Sequence, residues 1–388
     1  MRFVLFLQFM NNIFLFEIMR FLLFLQLLKM QKSNCYSTKL IRYNIIVFII
    51  LFFAYNCLTY KKEDLLANPY PPAVINFNTS SRYLSSNLAS VCQLGNNIFE
   101  LASLYGLSKY LNRTPVFFIE NGYHERMLNK MRSIMPGLME KFVIINGSVP
   151  LSINYTKFQR VCCVHEDPWN LKRSSDKYLH LSGIFYQSWK YFPKVKNELA
   201  SFLNNSSQNF GNLPISTNKT HITCIHTRRG DFLGYGYHAT DSKFLKNSEF
   251  QNKVSKISDK NSKKNRKIVL FGDDLKFLKN KFNTAIVSTD GPEDGEYFIS
   301  QNSALDDLLY SKYNCDTVLI TAPHSTFGWW IGYFSKGDTV YYMDIKYSRD
   351  HIYDAGKLVE NDFYPTHWTP LKFASSDNFT VVESLRSN

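Results

Sequence analysis

Apolar positions fall into two regimes along this chain of 388 residues. From Leu94 onward they come in short runs separated by polar segments. Phe99, Ala102, Leu104, Leu107 and Leu111 recur at helical spacing, and Thr114 to Ile119 (TPVFFI) follows as a buried strand. In the C-terminal half the alternation is clearer. Ile222 to His226 predicts one strand, Lys267 to Phe271 (KIVLF) a second, and Thr284 to Ser288 (TAIVS) a third. Asp306 to Lys312 predicts a helix, Thr317 to Thr321 (TVLIT) a fourth strand, a helix starts around Ser325, and Val340 to Met343 (VYYM) closes the run. Apolar strands alternating with helices predict an α/β fold with a mostly parallel, doubly wound sheet. In such sheets ligands bind outside the carboxyl ends of the strands.

The first sixty or so residues are the other regime. Ile45 to Leu58 (IIVFIILFFAYNCL) is almost wholly apolar, with Lys39 and Arg42 before it and Lys61 and Lys62 after it. With its flanks it reaches roughly 17 residues, the short end for a membrane-spanning helix, and reads as an uncleaved signal anchor. Phe3 to Leu28 is also apolar but is broken by Gln8, Asn11, Asn12, Glu17 and Arg20, which are costly in lipid. Met30 opens what reads as an ordinary short cytoplasmic tail, and is an alternative translation start. The expected layout is a tail over 1–43, an anchor over 44–60 and a stem over 61–86 that includes Asn68-Pro69-Tyr70-Pro71-Pro72. A catalytic body follows over 87–388, divided into 87–215 and 216–388. Basic residues on both flanks leave the anchor unoriented. The Asn-X-Ser/Thr sites at Asn78, Asn112, Asn146, Asn154, Asn204, Asn205, Asn218 and Asn378 all lie beyond it and predict a lumenal body, a type II topology.

Charge changes this picture little. The net charge of +13 comes from scattered Lys and Arg, and the densest run, Lys260 to Lys267, sits in a polar stretch that reads as a loop. Nucleic-acid binding is therefore not expected, whereas anionic nucleotides suit the sign. Beyond the tail and anchor there are five cysteines: Cys92, Cys162, Cys163, Cys224 and Cys315. An odd number leaves at least one thiol unpaired within the chain. Cys224 and Cys315 lie in apolar strand-like runs and read as buried thiols rather than bridge partners.

Polar clusters sit at the predicted strand ends. His226, Arg228, Arg229 and Asp231 follow the first strand of the C-terminal half, in Cys224 to Phe232 (CIHTRRGDF). Alternation sends the two arginines in different directions, so one is free to hold a phosphate through its bidentate fork while the other fixes the turn. A solvated surface turn is the plain alternative. Ser325-Thr326-Phe327 opens a helix after TVLIT, where hydroxyls and backbone N–H groups make an anion site or simply a cap. Asp273 and Asp274 after KIVLF would bind a metal, act as a base, or accept hydrogen bonds from the arginines. No Asp-X-Asp triplet occurs in the body, which lowers the expectation of a divalent ion and leaves leaving-group charge to side chains and helix dipoles.

Together HTRRGDF, FGDD and DDLLYSKYNCDTVLITAPHSTFGWW resemble the motifs of the α-1,2-fucosyltransferases, glycosyltransferase family 11. The resemblance extends to QLGNNIFELASLYGLSKYLNR and GIFYQSWKYF and covers roughly residues 88 to 345. It implies a GT-B-like fold of two facing Rossmann-type halves, the C-terminal one binding GDP-fucose, with inversion at fucose and no metal or other cofactor. Carried onto this chain, it expects Arg228 and Arg229 at the pyrophosphate, with Ser325, Thr326 and Phe327 closing on the phosphates. It further expects Asp316 facing guanine, Asp273 and Asp274 near the donor, and Gly95 and Asn96 at the cleft. For the base that takes the acceptor proton, Asp231 and His226 both remain, with Asp231 favoured because a carboxylate is ready at neutral pH. The implied enzyme is a Golgi membrane transferase acting on a galactose-type glycan. A different acceptor, or an inactive lumenal binding protein, are the rival readings. One departure bears on acceptor choice: the family's Gly-Arg-Leu-Gly-Asn-Gln is here Cys92-Gln93-Leu94-Gly95-Asn96-Asn97.

Overall fold

The computed structural model describes residues 71–73, 81–159, 161–205, 210–246, 265–282, 296–374 and 381–386. The expected tail and anchor, the start of the stem, the strand Thr284 to Ser288, and Asn78 and Asn378 lie outside these residues. Among the described residues no helix is long and apolar enough to cross a membrane.

Two parallel sheets organise the body. The first runs β3-β2-β1-β5-β4, with β1 (Tyr83–Ser86), β2 (Thr114–Ile119), β3 (Val143–Asn146), β4 (Tyr155–Thr156) and β5 (Tyr178–Leu181). The second runs β12-β11-β10-β9-β6-β7-β8. Its strands are β6 (Thr220–Thr227), β7 (Asn265–Gly272), β8 (Glu296–Ile299), β9 (Thr317–Ile320), β10 (Thr339–Met343), β11 (Thr369–Phe373) and β12 (Val381–Glu383). Among the described residues only the β11–β12 pairing is antiparallel. The expected α/β class with parallel strands is thus observed. Strand β1, the middle of the first sheet, lies inside the segment read as stem. Strands β11 and β12 extend the second sheet past Met343.

The longer helices are α1 (Leu94–Leu111), α2 (Gly122–Ile134), α3 (Leu275–Phe282), α4 (Ala304–Asn314) and α5 (Thr326–Phe334). Two of the starts are written locally. Asn121 accepts the amides of Tyr123 and His124 ahead of α2, and Ser303 accepts Asp306 N ahead of α4. Helix α1 is apolar on most sides, so it belongs inside the protein rather than on a surface.

Its partner is α5. Phe99 of α1 packs on Trp329 and Trp330 of α5 with ring centroids 4.5 and 4.9 Å apart, and Phe192 stacks on Trp330 at 5.7 Å. The indole N–H of Trp330 donates to Gly95 O at 3.0 Å. One continuous core therefore runs from the first sheet's helices into those of the second. At its head the two helix starts touch. A Cβ on Gly95 would fall 2.5 Å from Thr326 Oγ1 and 2.6 Å from Phe327 N, so only glycine allows the approach.

Cys224 and Cys315 correct the expectation of two free thiols. Strand β6 pairs with β9 so that Cys224 lies opposite Val318, which brings Cys315, two residues before Thr317, alongside. The Cα atoms are 5.6 Å apart and the sulfurs are joined. Apolar strand sequence marked burial correctly but is silent about which neighbour a buried sulfur meets.

Trp330→Ala should destabilise the protein by about 3–5 kcal/mol, the range for truncating a large buried aromatic. Chemical denaturation of wild type and variant measures it, and a loss under about 1 kcal/mol would show that the seam between α1 and α5 does not hold the fold.

Candidate active site

A cleft of about 630 Å³ opens between the two sheets' layers. Its first wall is the lead into α1, Cys92 to Asn96, with Cys162, Phe185 and Gln187. The second is the set of carboxyl ends of β6, β7 and β9: Thr227, Arg228 and Asp231; Gly272 and Asp273; and His324 to Phe327. Asn302, Ala304 and Asp307 line one end, and Phe232, Tyr235 and Tyr237 line another part. This is where a parallel sheet puts its ligand, because the strand ends splay there and the following loops and helix starts face inward.

The arginine pair divides as alternation requires. Arg228 lines the cleft, and its guanidinium is held by Asp231 Oδ1 at 2.8 Å and Asp273 Oδ2 at 3.2 Å. Arg229 is turned away from it. Its guanidinium lies 4.0 Å over the Phe277 ring, donates to Thr240 O at 2.8 Å, and meets Asp274 at 3.6 Å. The expectation of two arginines on one anion is therefore corrected: one faces the cleft and one braces the turn. Gly230, directly after the pair, is tight against Asp273, where a Cβ would fall 2.5 Å from Oδ2.

Asp273 and Asp274 are already engaged. Asp273 Oδ1 also accepts Arg229 N at 2.9 Å, and Asp274 Oδ1 accepts Phe277 N at 2.9 Å at the start of α3. Of the three uses open to this pair, holding the arginines is the one the geometry displays.

Ser325 caps α5, accepting Gly328 N at 3.3 Å. The starts of α5 and α1 converge on the cleft, where Asn96 N and Asn97 N donate to Gln93 O, Gly328 N donates to Ser325 Oγ, and the earliest amides have no carbonyl one turn back. Their aligned dipoles add positive potential at the same place, so the cleft is built to accept an anion next to Arg228. Asn96 Oδ1 joins the two walls, accepting Thr326 Oγ1 at 3.0 Å and Gln187 Nε2 at 3.0 Å.

Two expected residues are placed otherwise. His226 touches the cleft but is 3% exposed, with its ring pressed against Gly328. Burial, and then the nearby Arg228 charge, hold its imidazole down to about 3. It is neutral and enclosed, a packing residue rather than an accessible base. Asp316 lies outside the cleft, at the amino end of β9. It accepts Ile222 N at 2.9 Å and Ser216 Oγ at 2.6 Å, and pairs with Lys336 at 3.2 Å. The acidic residue of the same segment that does line the cleft is Asp307. It accepts Ser300 Oγ at 2.5 Å, and burial pushes its carboxyl up to about 7. Its signal was present in the sequence: Asp307 sits one turn into a capped helix, whereas Asp316 precedes a strand and so belongs to the opposite end of the sheet.

Glu100 was missed altogether. It is fully buried on α1 and receives Ala89 N at 3.0 Å and Phe185 N at 2.7 Å, tying together two loops of the first wall. Burial raises its carboxyl to about 7 despite those bonds. Phe185 and Tyr186, in the second of these loops, hold φ of 73° and 45°, a left-handed conformation that non-glycine residues adopt only under constraint.

Comparison with known proteins agrees with the motifs. The model of glycosyl transferase family 11 matches residues 72–372. The chain belongs to glycosyl transferase family 11. It is 61% identical over 368 residues to a Caenorhabditis elegans protein named "Putative galactoside 2-alpha-L-fucosyltransferase svh-11", covering 94% of this chain and 100% of that one. It is 39% identical to the "Putative glycosyltransferase C06E1.7" of the same worm, over 83% of this chain and 87% of the relative. A "Galactoside 2-alpha-L-fucosyltransferase" of that worm is 30% identical over 74% of this chain and 79% of its own length. The expectation of a family 11 sugar transferase with fucosyltransferases as relatives is met.

The division between the arginines is testable. Arg228→Ala should lower kcat/KM on the order of a hundredfold or more, the scale of losing a charge contact to the transition state. Arg229→Ala should act first on stability, by roughly 1–3 kcal/mol. Steady-state kinetics beside thermal unfolding separates the two, and equal kinetic losses at unchanged stability would contradict the placement.

Proposed function

We propose that the protein transfers L-fucose from GDP-fucose to the 2-hydroxyl of a galactose-type residue on a glycan, with inversion and without a divalent metal. The observation that carries this reading is the meeting of the two walls: the starts of α1 and α5 and Arg228 converge there, in a chain of this family, with the buried carboxyl of Asp307 lining one end. That spacing suits a nucleoside diphosphate, with the pyrophosphate against Arg228, Thr326 and Phe327 and the base toward Asn302 and Asp307. A carboxylate suits guanine, whose ring N–H and exocyclic amine are adjacent donors. The two halves then correspond to a GT-B arrangement, with 216–388 on the donor side.

In the proposed reaction the acceptor oxygen bonds to the fucose anomeric carbon as the bond to the β-phosphate oxygen breaks. The acceptor proton passes to Asp231, the cleft carboxylate that remains once His226 is enclosed; Arg228 contacts Asp231 through Oδ1. GDP leaves with its charge balanced by Arg228 and the helix starts. Asp273 and Asp274 are spent on the arginine turn, which supports charge neutralisation by side chains rather than by a carboxylate-held ion. We further propose a type II Golgi membrane protein, on the apolar stretch and on the sequons. Asn112, Asn146, Asn154, Asn205 and Asn218 are exposed, while Asn204 is half-buried and donates to Ser133 O. The Cys92–Asn97 departure reaches the cleft wall, so a different acceptor is the second enzymatic reading.

A panel of galactose-terminated and other glycans incubated with GDP-fucose and EDTA tests the reading. Fucosylated product with full activity in EDTA is expected, and Asp231→Asn should retain GDP binding while losing turnover by about 10²-fold or more. Tight GDP binding with no product on any acceptor would make the protein a binding protein instead. The donor reading also predicts a pH dependence. Because the Asp307 carboxyl is raised to about 7, it is mostly protonated below that pH and cannot accept both guanine donors. GDP affinity should therefore rise as pH increases through about 7, and calorimetry on Asp307→Asn should show the dependence flattened.

A further inference from the structure

Cys162 and Cys163 are neighbours in sequence, and their sulfurs meet in bonding contact. Cys162 is half-buried in the cleft wall, while Cys163 behind it is fully buried. This is a different setting from Cys224–Cys315, where both residues are fully buried inside the core.

Each sulfur also has a waiting acceptor. Cys162 Sγ is 3.8 Å from Lys357 O, and Cys163 Sγ is 3.2 Å from Gln187 Oε1. A disulfide donates no hydrogen bond, so on reduction each thiol finds an acceptor already within reach. Beside them stands a proton acceptor. His324 Nε2 lies 3.7 Å from Cys163 Sγ, and its Nδ1 is 3.1 Å from Asp350, which is 0% exposed. A buried carboxylate at Nδ1 favours the proton there and leaves the Nε2 lone pair facing the thiol.

The sulfurs are wired to the cleft. Gln187, which accepts from Cys163, donates to Asn96 at 3.0 Å, and Asn96 accepts from Thr326 at the start of α5. We propose that Cys162–Cys163 is a thiol–disulfide modification site in the cleft wall, and that its state sets affinity for the nucleotide donor through Gln187, Asn96 and Thr326. The coupling rests on the donor reading above.

The chemistry is exchange with a small-molecule disulfide. The thiolate of Cys162, the sulfur that reaches the cleft, attacks one sulfur of that disulfide and forms a mixed disulfide, releasing one thiol. Cys163 passes its proton to His324, attacks Cys162 Sγ, and releases the second thiol; the protein loses two electrons and two protons, and the reagent gains them. In the dithiol, Cys163 donates to Gln187 Oε1 and so fixes which end of that amide faces Asn96. In the disulfide that donor is gone and the amide loses its orientation. The dithiol is therefore the state that holds Asn96 and Thr326 in place and binds the donor more tightly.

The test uses the full-length chain poised with reduced or oxidised glutathione. Mass analysis of the peptide bearing residues 162 and 163 should show a loss of two hydrogens on oxidation. GDP binding by calorimetry should be weaker in the oxidised form by on the order of fivefold, a typical coupling factor. Cys162→Ser, which removes the attacking sulfur and leaves the enclosed Cys163 donating to Gln187, should give equal affinities under both conditions, whereas Cys92→Ser should keep the difference. A pair that stays dithiol in oxidised glutathione, or stays closed in reduced glutathione, would overturn the proposal, as would a metal ion retained by the two sulfurs and His324. Equal GDP affinity in both states overturns the coupling while leaving the donor reading intact; no GDP binding in either state removes both.

Discussion

The contact on which the rest depends is the approach of Gly95 to Thr326 and Phe327. Two helix starts are brought within van der Waals reach, although their dipoles are alike in sign. Such an arrangement is unfavourable by itself and needs support from packing. The support is the aromatic seam of Phe99, Trp329, Trp330 and Phe192, with the Trp330 indole bonded to the Gly95 carbonyl. Burial of these rings stabilises the junction by several kcal/mol in the aggregate, more than enough to hold two helix ends in mutual repulsion. What emerges is a concavity in which two helix starts and Arg228 face the carboxylates Asp231, Asp273 and Asp307.

Around that concavity each carboxylate has a distinct assignment set by its surroundings. Asp273 and Asp274 orient the arginine turn, and Asp316 caps the far end of the strands. Glu100 and Asp307 are buried enough that their carboxyls are raised to about 7, yet only Asp307 faces the cleft. Residues of one chemical type thus divide between scaffold and site by depth and direction, which is the information a linear motif lacks.

Much of this was legible in the order of residues. Periodicity located helix α1 and strands β2, β6, β7, β9 and β10 because each buries a clean apolar pattern. It missed β1, since Tyr83–Ser86 includes two serines whose burial is made possible by hydrogen bonds from β5 and Tyr186, a long-range circumstance. The split roles of Arg228 and Arg229 followed from strand alternation alone. Asp316, expected at the donor, lies outside the cleft because a motif identifies a segment without saying which end of a sheet its acid occupies. The Cys163–His324–Asp350 grouping could not be read at all, for its members are 161 and 26 residues apart and share no motif.

The seam between α1 and α5 has one further consequence. An enzyme whose halves meet only through a polar linker opens and shuts like a book, and binding drives the closure. Here the hinge line itself is filled with interlocked rings belonging to a single core. The two halves are thereby denied large relative rotation, and the cleft exists in its working shape before anything enters it. Access must then be governed by the loops at its mouth, around Phe185 and around Tyr235, rather than by the domains. Such a molecule resembles a mould: one packed core fixes the shape that a ligand must fit.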